Sequence, residues 1–73
     1  MIRVNLTEAE KLELERYRGQ SSSQNSEKAF MVMLNSEGKS AVKIGEQLNR
    51  NPHTVRHWLK SYLAKGLAGL DRN

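Results

Sequence analysis

The sequence contains no cysteine, which excludes disulfides and any zinc site built on thiolates and fits a reducing compartment. No stretch approaches the roughly 18 consecutive apolar residues of a membrane span. The opening Met1-Ile2-Arg3-Val4 lacks the apolar run of a secretory signal. Catalytic signatures are missing as well: there is no nucleophile triad, no phosphate-cradling glycine loop and no cofactor motif. With 73 residues the chain has room for one small core and none for a deep active-site cleft, since a domain this short buries only about 60% of the surface its unfolded chain exposes. The expectation is a single domain spanning residues 1–73, without internal repeat, enzymatic activity or cofactor.

Acidic residues are scarce in one region only. The net charge is +4, from 12 Lys and Arg against 8 Asp and Glu. Residues 1–46 hold seven of each and cancel. Residues 47–73 hold Arg50, Arg56, Lys60, Lys65 and Arg72 against Asp71 alone, with His53 and His57 among them. A basic excess confined to one third of the chain suits a polyanion such as nucleic acid.

The periodicity predicts helices throughout. Ile2, Val4 and Leu6 alternate with polar residues, but no second strand is in sight, so this segment reads as an extended lead-in. Thr7-Glu8-Ala9-Glu10 has the form of a capping box opening a first helix that runs to about Arg18, with Gly19 as its stop and Leu6, Leu14 and Tyr17 as core contacts. The polar, serine-rich stretch 20–26 reads as a loop or a frayed helix start. A second helix, about Asn25–Ser36, turns Ala29, Phe30, Met33 and Leu34 inward, and Gly38 caps it. Ser40 caps a short third helix, about Ala41–Leu48, with Ala41, Ile44, Gly45 and Leu48 inside. Asn49 suits the left-handed residue that ends a helix. Asn51 is a strong N-cap and Pro52 fits the first helical position of a fourth helix, Pro52–Lys65, closed by Gly66. The tail 66–73 is weakly apolar, and Leu67 is placed for the contact that follows a glycine-capped helix end.

At about 100° per residue, the fourth helix separates into two opposed faces. Val55, Trp58, Leu59, Tyr62 and Leu63 form the core side; His53, Arg56, His57, Lys60 and Ala64 form the other. Alone, such a polar face is the solvated exterior that every amphipathic helix has. Here it follows a short helix and a three-residue turn, which is the helix-turn-helix layout. The second helix of that motif enters the major groove with its N-terminal residues at the base edges. Arg56 is suited to guanine, Asn51 to adenine, and Thr54 to either, with His53 and His57 alongside. Lys60 is placed for phosphate, and Ser40 and Lys43 at the start of the third helix can meet the backbone as well, where free amides also favour anions; Arg50 in the turn is a further DNA-binding candidate. His53 and His57 have chelating spacing, but no third ligand is evident and Thr54 stands where the zincin signature needs Glu, so no metal site is expected. Trp58 and Tyr62 read as core, not as base-stacking residues.

The run from Ser40 to Trp58 resembles a helix-turn-helix of the homeodomain-like class. More narrowly, through Leu6-Thr7-Glu8-Ala9-Glu10, Thr54-Val55-Arg56-His57-Trp58 and Lys65-Gly66-Leu67-Ala68-Gly69-Leu70, the chain resembles the N-terminal DNA-binding region of bacterial mariner-like insertion-sequence transposases. The resemblance implies an all-α, three- to four-helix unit with its motif at about 40–65. It implies double-stranded DNA, met at the major groove and phosphates, as partner, and a bacterial, cytoplasmic, nucleoid-associated setting. Such motifs carry Ala where Gly45 stands and Gly where Asn49 stands; Gly45 is expected to weaken its helix by about 1 kcal/mol. The resembled proteins continue into a second helical unit and a metal-dependent catalytic domain, and the 73 residues contain neither. The implication is therefore DNA binding without DNA cutting, in an excised domain, a truncated transposase or a stand-alone regulator. A homodimer or a second DNA-binding unit would supply the affinity that one small unit lacks. A second class stays open at this point, a helical adaptor for a protein partner with no nucleic-acid role. Against it, the exposed face has no apolar anchors.

Overall fold

Four helices and one short 3₁₀ turn follow one another along residues 2–70, the part of the chain that this computed structural model describes. They are α1 (Glu8–Gln20), α2 (Ser23–Ser36), α3 (Ala41–Leu48), α4 (Pro52–Lys65) and a 3₁₀ turn at Gly66–Gly69. No strand occurs among the described residues, so the fold is the all-α helix-turn-helix bundle that the periodicity predicts. None of the helices is long and apolar enough to cross a membrane. Asp71 and Arg72, counted in the charge distribution, lie outside the described residues.

The caps form where the sequence places them. The Glu10 amide donates to Thr7 Oγ1 at 3.1 Å and the Thr7 amide donates to Glu10 Oε1 at 2.9 Å, closing the capping box. Ser40 Oγ accepts from the Lys43 amide at 3.2 Å, and Asn51 Oδ1 from the His53 amide at 2.8 Å. Asn49 ends α3 with φ 58°, a left-handed conformation that asparagine tolerates. One boundary moves. Of the two readings of the serine-rich stretch, a loop or a helix start, the second holds for most of it, because Ser22 Oγ accepts from the Asn25 amide and so caps α2 from Ser23, two residues before the expected Asn25. α1 in turn runs through Gly19 to Gln20 and leaves only Ser21 and Ser22 between the helices.

α2 packs against all three other helices, so its buried surface is wider than a single stripe. Lys28, Ala29, Met31, Val32, Leu34 and Asn35 are buried, while Phe30 and Met33, expected inside, are half-buried against the core. Leu14, Ile44, Val55 and Leu59 meet these residues with no exposed surface. The buried positions of α4 are Val55, Leu59 and Tyr62. That stripe is narrower than the arc of apolar residues on the helix, and Leu63 at its margin is 55% exposed, not core as its place on the helical wheel suggests.

The lead-in and the tail are also part of the core. Val4 is 1% exposed and its amide donates to Asn35 Oδ1 at 2.6 Å. Past Gly66 (φ 66°), the 3₁₀ turn folds back on α4 and buries Leu70 completely, while Leu67 is only partly buried. Gly69 permits this close approach. A Cβ there would stand 2.7 Å from both the carbonyl carbon and Oγ of Ser61, and Ser61 Oγ donates to the Gly69 carbonyl at 2.7 Å.

Gly45 corrects an expectation. A Cβ at this position would lie 2.6 Å from the Arg50 carbonyl oxygen, because the turn after Asn49 folds directly over α3 and the Arg50 amide donates to the Gly45 carbonyl at 2.8 Å. The low helix propensity of glycine is therefore offset by a contact that an alanine would obstruct.

Candidate nucleic-acid interface

The turn between α3 and α4 sets the start of α4 through three local constraints. Asn49 reverses the chain, Asn51 caps the new helix, and Pro52 sets its first φ angle. Gly45 lets the turn approach α3 closely enough to fix the angle at which α4 leaves. Outward from this frame, His53, Thr54, His57 and Lys60 are exposed and Arg56 is half-buried. The structure thus brings together five of the nine residues expected at a site on one helical surface. None of the Arg56, Lys60 and His53 side chains is engaged in an ion pair or hydrogen bond among the described residues. The His57 ring meets Trp58 edge-on, with centroids 4.7 Å apart.

The other four expected residues flank this surface. On the α3 side, Arg56 shares a shallow hollow of about 300 Å³ with Ile2, Ser40, Ala41 and Val42. Lys43 is exposed on the same short helix. On the α2 side, a larger open hollow of about 500 Å³ is bordered by Ser22, Gln24, Glu27, Arg50, Thr54 and Trp58. Arg50 is held here by Glu27, with Nε donating to Oε1 at 2.6 Å and Nη2 to Oε2 at 3.3 Å. The hydrogen-bonded carboxylate keeps the guanidinium still more firmly protonated than an ordinary arginine. Asn51 is exposed, but its side-chain oxygen serves the helix cap, so a bidentate adenine contact would compete with that bond.

Three features escaped the sequence, two of them buried. Lys28 lies beneath the α2-side hollow with its Nζ 4.0 Å from the centre of the Trp58 ring, and this cation covers a ring that could otherwise stack on a base. Asn35 is 2% exposed and bonds the lead-in. Glu27 gives no signal of its own, because its partner Arg50 is 23 residues away. Behind the surface, burial pushes the Tyr62 phenol pKa up, with the carboxylates of Glu10 and Glu13 adding to the effect. That agrees with Tyr62 as a core residue facing α1. No group of three or more His, Asp or Glu side chains able to hold a metal ion occurs among the described residues.

Residues 23–71 match the model of a helix-turn-helix family described as a homeodomain-like domain. The match takes in α2, α3, α4 and the folded-back tail and leaves α1 outside. Among curated proteins and among solved structures, nothing matches.

Proposed function

The chain belongs to the homeodomain-like helix-turn-helix family, whose members in general bind DNA, and from that premise we propose that it binds double-stranded DNA sequence-selectively through α4. The observation that carries the reading is the outer surface of α4, which is basic, free of acidic residues and presented by a capped helix start. In this reading Thr54, Arg56, His53 and His57 meet base edges in the major groove. Lys60, Lys43 and Ser40 meet the flanking phosphates, and the cap at Asn51 fixes the helix entering the groove. The target is a transposon end or an operator, and the chain acts as a transposase-derived domain or a small transcriptional regulator in the bacterial cytoplasm. A second copy or a tandem unit provides the second half-site.

The test is a titration of the domain with short duplex DNA at two salt concentrations, followed by amide NMR. Binding should weaken steeply with salt, with the largest shifts at residues 51–60. Arg56→Ala should lose about 1–3 kcal/mol of specific binding and relax preference at one base pair, whereas Lys60→Ala should weaken all sequences alike. Absence of binding even at low salt would overturn the reading in favour of a protein-binding adaptor.

A further inference from the structure

Arg50 stands in the turn one residue before the cap of α4, where it borders the same open hollow as Thr54. An exposed arginine is ordinarily spread over many rotamers, and that spread weakens any contact it makes. Here the carboxylate of Glu27 grips the Nε and Nη2 side of the guanidinium. Glu27 is itself anchored on α2, with its side chain 28% exposed against 51% for Arg50. A guanidinium is planar and carries five N–H donors in a fixed fork. The fork on Glu27 occupies two of them, and planarity turns the remaining donors away from the carboxylate. The pair has no net charge, so its worth to a polyanion lies in aimed donors and not in bulk attraction.

We propose that Glu27 is a positioning residue for DNA binding: it holds Arg50 so that the guanidinium's free edge meets a phosphate of the strand bordering α4 on the Thr54 side. The inference rests on the DNA-binding reading above. It makes a prediction whose sign separates it from simple electrostatics. Glu27 is an anion beside a polyanion, so its removal should tighten binding if charge alone matters. If it positions Arg50, removal should weaken binding, because a held charge-assisted contact becomes a mobile one.

The experiment measures the affinity of the full chain for a mixed-sequence duplex at several salt concentrations, with Glu27→Gln, Arg50→Gln and the double variant. Arg50→Gln should lose about tenfold in affinity, as one charge-assisted contact is worth, and lower the salt slope by about one. Glu27→Gln should lose roughly threefold despite shedding a negative charge, and the double variant should bind no worse than Arg50→Gln, as expected for two residues acting as a unit. In the wild type, the Arg50 Nε–Hε NMR signal should be protected without DNA and shift when DNA is added. This readout does not depend on how the variants fold. Equal or tighter binding by Glu27→Gln, or an Arg50 signal indifferent to DNA, overturns the positioning role and leaves the DNA-binding reading standing. A wild type that binds no duplex at low salt overturns both.

Discussion

The two ends of the described chain are held by the same helix in different ways. Lys28 and Asn35 both project from α2, two turns apart, and they are the two buried polar side chains among the core residues. Asn35 takes the N-terminal end. Its Oδ1 accepts from the Val4 amide at 2.6 Å, and its Nδ2 donates to the carbonyls of Ile2 at 3.2 Å and Lys39 at 2.9 Å. Lys28 takes the C-terminal end more loosely, donating to Asn25 Oδ1 at 3.0 Å and reaching the Leu70 carbonyl only at 3.5 Å. At the N-terminal end one neutral amide meets three backbone groups, accepting through its oxygen and donating twice through its nitrogen. At the C-terminal end the fixed fit lies elsewhere, in Gly69 pressed on Ser61, and the cation supplies an adaptable cover. A buried polar residue is thus a fastening only when its bonds are short and its geometry is specific.

Asn35→Ala breaks the comparison at its strongest point. It strips the buried Val4 amide and two carbonyls of their partner, a loss of about 3 kcal/mol for an unsatisfied buried network. For a domain this size each kcal/mol moves Tm by about 4–8 °C, so a loss of about 3 kcal/mol should lower thermal melting by about 12–24 °C. A drop of only a few degrees would mean that Val4 and its apolar neighbours hold the lead-in without the amide. Gly69→Ala comes next. Its methyl group would press on the Ser61 backbone and hydroxyl, and overpacking of this kind costs about 2 kcal/mol. Urea melts should show the loss, and hydrogen exchange should show the Leu70 amide opening ahead of the rest. Uniform opening would place the strain throughout α4 and not in the tail.

These fastenings were the least legible part of the chain. The helices and their caps could be read because local signals decide them. Thr7 with Glu10, Ser40, Asn49, and Asn51 with Pro52 each satisfy backbone groups within a few residues. The outward residues of α4 followed from its period, since a helix that buries Val55, Leu59 and Tyr62 must expose His53, His57 and Lys60. What failed depends on distant partners. Val4 lies in the extended lead-in that its alternation suggests, but its burial could not be read, because Asn35, which accepts its amide proton, is 31 residues away. Gly45 looks like a poor helix residue until the Arg50 carbonyl is placed over it. Phe30 and Met33 are only half-buried and Met31 and Val32 are buried beside them, because a one-sided stripe does not describe a helix packed by three others.

Lys28→Met gives the smallest expected effect and sharpens the contrast most. Methionine keeps the unbranched stem and places a polarizable sulfur against the Trp58 ring. It gives up the bonds to Asn25 and Leu70 and the cation's place over the ring. Replacing a buried charge by an apolar side chain of similar volume is often neutral, because the desolvation of the charge is relieved together with the loss of its partners. The variant should therefore melt within about 1 kcal/mol of the wild type, against about three times that for Asn35→Ala. A loss of 2 kcal/mol or more would show that the contacts of the Lys28 cation fasten the C-terminal end as firmly as Asn35 fastens the N-terminal one.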